Sequence, residues 1–489
     1  MKSSMFNGGS HVDGHGDAFV SINPATGEII WQGCAADGRD VSRTVSAARA
    51  ACTAWRRTPQ QERIAIAERF AALADEQAEP IAQAIGRETG KALWECRQEA
   101  AAVSESVRSA IRACVERQSP QDHPVAQGTE ALRFRPHGVL AVYGPFNFPA
   151  FLTTAYVAPA LLAGNAVIVK PSELTPSVTA LVNGLWISAG LPADVLSVLQ
   201  GGAATGAMLA REPSLDGLVF TGSSRVGRQL HAACAGQPEF LLALEMGGNN
   251  PLVIDDACDD LESAARYAVL ASFVSAGQRC TCARRVLLPE GRRGDRLLEQ
   301  IVTLTTQLDV DRYDANPQPF MGPLINVRAA DTMLAHQDLL IELGGHPIEP
   351  LHRFAPDSAF LRPGVIDVTN IPHLPDEEYF GPLMQVIRYR HFDDAIRISN
   401  DTRFGLSAAL ISSNQANWIR FRDEIRAGVV NWNTVPCGAS MRFPFGGSGR
   451  SGNHRPGAYF AIDYCAHPVT SIEHDTLPEW PAIPGWAGA

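Results

Sequence analysis

The sequence has no internal repeat, no low-complexity tract and no cysteines at the CxxC spacing of zinc or redox sites. Its ten cysteines are scattered, and the nearest pair, Cys280 and Cys282, sits too close for either pattern. No secretory leader opens the chain, so reduced thiols and a cytoplasmic location are expected rather than a disulfide framework. Charged residues make up only 19%, and acids outnumber bases by 52 to 41, a net charge of -11. That balance excludes nucleic acid and an anionic membrane as main partners. The apolar run at 138–169 is not a membrane span. Pro145, Pro149 and Pro159, with Gly144 and Gly164, cut it into a strand, a turn and a helix. No set of side chains reads as a metal site.

What remains is an ordinary globular composition, 45% hydrophobic over 489 residues, which is too long for one core. Two or three domains are expected. Residues up to Asp17 are polar and Gly-rich and read as poorly ordered, and 23–28 reads as a turn between two strands. From Asp40 to Arg117 apolar residues recur at helical spacing, with breaks near Pro80 and Gly90. The rhythm then changes. Short, wholly apolar runs at 139–143, 166–169, 195–199, 217–220 and 240–244 alternate with helical pieces beginning near Phe151, Pro176, Ala203 and Ser223. That pattern predicts a parallel sheet covered on both faces, which takes ligands at the C-terminal ends of its strands. A second α/β unit starts after Gly248, with strands at 251–254 and 284–288 and a helix opened by Asp259. The segments 118–136 and from 464 onward are too short for domains and read as a small sheet of their own.

The candidate chemistry gathers at strand ends. Cys280 follows an apolar helical run and a short polar turn, a setting that exposes and ionises a thiol, although a buried structural cysteine is the commoner fate. Lys170 and Glu173, in Lys-Pro-Ser-Glu, suit phosphate and ribose contacts or a plain strand-end ion pair. Gly222 and Ser223 precede a helix containing Gly227, and a helix start attracts phosphate. Glu245, beside Gly247 and Gly248, is either a general base or a solvated glutamate. Asn147, between two prolines, is either an oxyanion donor or a turn residue. The literal GxGxxG at 447–452 follows no strand and reads as a false positive for nucleotide binding.

The order and spacing of these pieces carry more than each alone. Pro145-Phe-Asn-Phe-Pro149, Lys170-Pro-Ser-Glu173, Phe220-Thr-Gly-Ser223, Leu244-Glu-Met-Gly-Gly248, Gly277-Gln-Arg-Cys280, Glu377-Glu-Tyr-Phe-Gly-Pro382 and Pro444-Phe-Gly-Gly447 together resemble the NAD(P)-dependent aldehyde dehydrogenase superfamily, from about Phe19 to Cys465. The stretches 245–251, 277–285 and 451–456 narrow the resemblance to a branch acting on a succinylated glutamate semialdehyde from arginine breakdown.

The resemblance implies an α/β fold with a Rossmann-like NAD domain (1–117 and 137–248), a second α/β catalytic domain (249–463) and a small oligomerisation sheet (118–136 and 464–489). It implies a homodimer or homotetramer and a small acidic aldehyde as substrate. Cys280 would be the nucleophile, Glu245 the base for thioester hydrolysis, and Asn147 with the Cys280 N–H the oxyanion site. Lys170 and Glu173 would hold the adenosine ribose, Gly222 and Ser223 the pyrophosphate, and Gly227 the helix packing. Glu378 and Phe380 would meet the nicotinamide end, and Gly202 the cofactor edge. The Glu173 carboxylate should repel a 2′-phosphate, favouring NAD over NADP.

The sequence departs from the superfamily at Ser451-Gly-Asn-His-Arg-Pro456, where many relatives read Ser-Gly-x-Gly-Arg-Glu. An acidic substrate calls for cations near the entrance, and Arg279, Arg442, His454 and Arg455 are the candidates, with solvated or structural roles as the alternative for each. Cys282 is expected to be a neighbour of the nucleophile and to matter for oxidation. Alternatives are another acidic semialdehyde (of glutamate or succinate), a non-catalytic protein of the same fold, and a coenzyme-A-acylating variant, which the retained Glu245 disfavours.

Overall fold

A computed structural model describes residues 5–7, 10–126, 128–438, 440–478 and 484–485. Two seven-stranded sheets organise the chain. In the first, Leu241–Met246, Gly217–Gly222, Val139–Tyr143, Ala166–Lys170 and Leu196–Val198 lie side by side and parallel. Val139–Tyr143 and Ala166–Lys170 are buried at every residue, because helices cover both faces. The stretch read as disordered behaves differently in part. Met5–Asn7 and Ser10–Val12 form an antiparallel hairpin that extends this sheet beyond Leu196–Val198. A strand edge left open there supplies backbone partners that a polar sequence alone does not advertise.

The helices follow local signals. Asp37 caps Gly38–Trp55 with a capping box. Gln60–Glu76 and Ala78–Thr89 are divided at Gln77, so Pro80 lies in the first turn of the second, where its missing N–H costs little. Gly90, at φ 78°, closes that helix, and Leu93–Arg117 follows. Phe70 stacks on Trp186 at 4.0 Å, joining these helices to Pro176–Ser188 over the sheet. In Phe151–Leu162, Pro159 falls inside the last turn rather than ending the helix.

The second sheet runs His346–Glu349, Gly364–Asp367, Leu383–Tyr389, Ala283–Pro289, Asn250–Ile254, Ser407–Ile411 and Val429–Trp432, parallel except at its first strand. Asp260, not Asp259, caps the helix Leu261–Phe273, its side chain accepting from the Ser263 N–H at 3.0 Å. Gln121–Val125, Gly128–Pro136 and Ala466–Glu473 form a separate antiparallel sheet. Among the described residues no helix is long and apolar enough to cross a membrane.

Candidate active site

After Leu261–Phe273 the backbone turns through Ser275 (φ 56°), Ala276 (53°) and Gly277 (70°) before it reaches Cys280. A non-glycine residue in the left-handed region costs about 1–3 kcal/mol, so this turn must be held from outside. A side chain at Gly277 is excluded, since a Cβ would lie 2.2 Å from the Gly381 carbonyl oxygen. The holding group is Glu95, 2% exposed, on the first turn of Leu93–Arg117. Its carboxylate accepts from the Ser275 N–H at 3.2 Å, from Ser275 Oγ at 2.5 Å and from Arg279 Nη2 at 2.7 Å. Cys280 is thereby set, half-buried, in the wall of a cavity shared with Phe148, Phe151, Tyr156 and Met441.

Asn147 stands in the turn after Val139–Tyr143, and its Nδ2 donates to the Gln278 carbonyl at 2.9 Å. Its own carbonyl accepts from Lys91 Nζ at 2.8 Å, and Lys91 is ion-paired with Glu99. Glu99 Oε1 takes the N–H groups of Ala150 (3.0 Å) and Phe151 (3.3 Å), pinning the start of the next helix. The chain has only three lysines, and two of them, Lys91 and Lys170, are buried at this site rather than solvating the surface.

Glu245 ends the strand Leu241–Met246 at 3% exposure, and its Oε1 has no hydrogen-bond partner. Burial pushes its carboxyl well above the usual carboxylate range. The GxGxxG loop is its neighbour and not a phosphate cradle. Glu245 bridges Gly452, Ser451 Oγ donates to the Gly247 carbonyl at 2.7 Å, and Asn453 clasps Leu244 N and Leu242 O. Burial also raises the Cys280 thiol, and the Glu245 and Glu378 carboxylates raise it further, while Arg284 opposes them. The thiol is partly exposed, and burial with the two carboxyls opposes the ready ionisation expected from sequence. Cys282 lies fully buried behind it, with Sγ 3.6 Å from the Val274 carbonyl.

The cofactor candidates line the C-terminal edge of the first sheet. Lys170 Nζ, 8% exposed as a residue, donates to the Pro171 carbonyl at 2.7 Å and sits 3.8 Å from the half-exposed Glu173. Gly202 begins Ala203–Leu209 beside it, and a Cβ there would lie 4.0 Å from the Glu173 carboxyl carbon. Gly222 ends its strand, and Ser223 caps Ser224–Ala233 by accepting from the Val226 N–H at 3.4 Å. Gly227 lets that helix lie against the sheet, since a Cβ would meet Met246 Sδ at 2.3 Å. Glu378 Oε1 accepts from the Gly248 N–H at 3.2 Å, and burial pushes its carboxyl up to about 7 against the pull of Arg284. Phe380 packs edge-on to Phe146, 5.8 Å between centroids. A buried lysine, a partly open carboxylate, a helix start and close-packing glycines along one edge fit a dinucleotide.

The sequence matches the aldehyde dehydrogenase family over residues 11–469. The chain belongs to that family. It is 50% identical over 475 residues to proteins named N-succinylglutamate 5-semialdehyde dehydrogenase from Paraburkholderia xenovorans and Burkholderia mallei, covering 97% of this chain and of each relative. Among solved structures it is similar to an NADP-dependent enzyme of E. coli (TM-score 0.90, 29% identical, 97% of this chain and 98% of that one). It is likewise similar to an indole-3-acetaldehyde dehydrogenase of P. syringae in complex with NAD+ (TM-score 0.90, 27% identical, 96% and 97%).

In this aldehyde dehydrogenase the four candidate cations are dispersed. Arg279 lines the Cys280 cavity, but its Nη2 and Nε are occupied by Glu95 and by Ser275 Oγ. Arg442 is exposed on the loop whose Met441 lines the cavity. His454 and Arg455, both exposed, border a separate groove that reaches Glu245. Sequence reasoning missed Glu95, Lys91 and Glu99. The stretch around them read as packed helices with a break at Gly90, and only the unusual density of charge in 87–99 hinted at more.

Proposed function

We propose that this aldehyde dehydrogenase oxidises N-succinyl-L-glutamate 5-semialdehyde to N-succinyl-L-glutamate with NAD, as part of arginine breakdown. The observation that carries the chemistry is that Cys280 is reached from two other stretches, Asn147 donating to the Gln278 carbonyl two residues before it and the Glu245 carboxyl acting on its thiol. The 50% identity to relatives of that name carries the substrate.

Cys280 attacks as thiolate, its proton having passed to solvent, and its Sγ bonds to the aldehyde carbon. The carbonyl oxygen becomes an oxyanion beside the Asn147 amide and the Cys280 N–H, which stabilise it as charge develops. A bound NAD supplies the acceptor for the hydride that leaves this carbon. What remains on Cys280 is a thioester. Glu245, in its ionised form, then draws a proton from water. The hydroxide adds to the acyl carbon, the C–S bond breaks, and the acid departs as Cys280 is restored.

Lys170, Glu173 and Gly202 hold the adenosine end, Gly222, Ser223 and Gly227 the pyrophosphate, and Glu378 and Phe380 the nicotinamide end. The carboxylate of Glu173 repels a 2′-phosphate and favours NAD. The substrate carries two carboxylates, and Arg279, Arg442, His454 and Arg455 are the cations available to attract them. Residues 1–117 with 137–248 serve as the cofactor domain and 249–463 as the catalytic domain. Residues 118–136 with 464–489 join copies of a cytoplasmic homodimer or homotetramer.

The test is NADH formation with N-succinylglutamate semialdehyde against the semialdehydes of glutamate and succinate. The succinylated compound should have the highest kcat/KM, and Arg442→Ala, on the loop whose Met441 lines the Cys280 cavity, should raise its KM far more than that of a neutral aldehyde. Equal kcat/KM for all three would overturn the substrate assignment.

A further inference from the structure

Two adjacent arginines, Arg284 and Arg285, open the strand Ala283–Pro289, and both are buried, at 0% and 3% exposure. Consecutive strand residues point to opposite faces, so the two guanidiniums enter different surroundings. Arg285 is a structural clasp. It donates to the carbonyls of Asn249 (3.0 Å), Ile398 (2.8 Å) and Ser399 (2.9 Å), and Asp376 and Asp401 act on its charge.

Arg284 faces the nucleophile's turn. Its Nη1 donates to the Gly277 carbonyl at 2.5 Å and approaches that of Gly381 at 3.4 Å, and its Nη2 donates to the Arg279 carbonyl at 2.8 Å. These carbonyls bracket the left-handed Gly277 and the residue just before Cys280. The guanidinium also lies over the Phe380 ring, 5.3 Å from its centroid. Among the described residues no carboxylate forms an ion pair with it, and its Nε has no partner. A cation buried with carbonyl dipoles alone is costly. Its field falls on Cys280, Glu378 and Cys282. At Cys280 it works against Glu245 and Glu378, and at Cys282 it acts together with Arg279 and the Cys437 thiol.

We infer that Arg284 is a positioning residue for Cys280, which fixes the nucleophile's turn through the Gly277 and Arg279 carbonyls and sets its positive charge on the Cys280 side against the Glu245 and Glu378 carboxyls. The inference rests on Cys280 being the nucleophile. The two parts of the role separate by substitution. Arg284→Gln and Arg284→Met remove the charge, whereas Arg284→Lys keeps it but loses the forked donation to two carbonyls.

The test is the rate of Cys280 alkylation by iodoacetamide against pH in the full-length enzyme, with Cys280→Ala as blank and Arg285→Lys as the structural comparison. Alkylation is read by mass on the peptide containing Cys280, because Cys34 and Cys437 are also partly exposed and Cys437 lines the same cavity. The neutral variants should move the alkylation midpoint to higher pH, each unit lowering the neutral-pH rate about tenfold. Arg284→Lys should keep the wild-type midpoint while kcat falls, and Arg285→Lys should lower thermal stability without moving the midpoint. If neither neutral variant folds, Arg284→Lys alone decides, since a midpoint raised there overturns the proposal. So does an unchanged midpoint in either neutral variant, or an equal rise in Arg285→Lys, which would make the effect a general loosening. NADH formation that persists in Cys280→Ala would instead show that the nucleophile assignment has failed, and the proposal falls with that premise.

Discussion

The Asn147 side-chain amide donates to the Gln278 carbonyl at 2.9 Å, tying the turn after Val139–Tyr143 to the loop that presents Cys280. One N–H of that amide is spent on the tie, and the second remains for an oxyanion. Asn147→Ala removes both. We expect kcat to fall by about 10²–10³, the usual cost of one oxyanion donor. Steady-state kinetics checks this, with cofactor affinity unchanged as the control.

Asn147 is itself held by Lys91, whose partner Glu99 is 2% exposed. Lys91→Met would leave the Glu99 carboxylate buried and unpaired, and breaking such a pair from one side costs about 3–5 kcal/mol. Urea or thermal unfolding should show a loss of that size. A change below about 1 kcal/mol, the range of an exposed pair, would mean that water reaches Glu99.

Glu245 gives the pH dependence its sign. Its folded-state pKa is raised by burial, so the carboxyl is neutral at low pH and the ionised base accumulates as pH rises. Thioester hydrolysis should therefore speed up with pH through that raised value. Glu245→Gln should lose this limb and stall after a stoichiometric burst of NADH. A burst in the wild type as well would mean that hydrolysis is already the slow step, and the substitution should then slow only the phase after it.

At the C-terminal edge of the first sheet, Glu173 presents a half-exposed carboxylate 3.8 Å from Lys170 Nζ. Glu173→Gln removes the charge and keeps the shape. The ratio of kcat/KM for NAD to that for NADP should fall by about tenfold or more, the effect of roughly 1.4 kcal/mol of repulsion. Parallel assays with the two cofactors measure it.

How much of this was readable from the chain depends on the reach of each interaction. Strand ends such as Lys170, Gly222 and Glu245 announce themselves, because a buried parallel strand is a continuous apolar run and its last residue meets the ligand edge. Glu95 and Ser275 do not. They are 180 positions apart, and their hydrogen bonds exist only after two domains' worth of chain have packed. The same holds for Lys91 and Asn147. His454 and Arg455 show the converse, since motif comparison draws attention to them, yet the clasp of Asn453 on Leu244 and Leu242 turns their loop toward Glu245 rather than the Cys280 cavity. The upward pull on the Cys280 thiol was also out of reach, because burial and the Glu245 and Glu378 carboxyls exert it only once the chain has packed.

The central claim is that Cys280 attacks the aldehyde and carries the acyl group. Single-turnover reaction with N-succinylglutamate semialdehyde and NAD, followed by mass analysis of the quenched protein, tests it most directly. Glu245→Gln should trap an N-succinylglutamyl thioester on the peptide containing Cys280, and Cys280→Ala should give neither adduct nor NADH. NADH formation in Cys280→Ala, or an adduct on any other residue, would contradict the account.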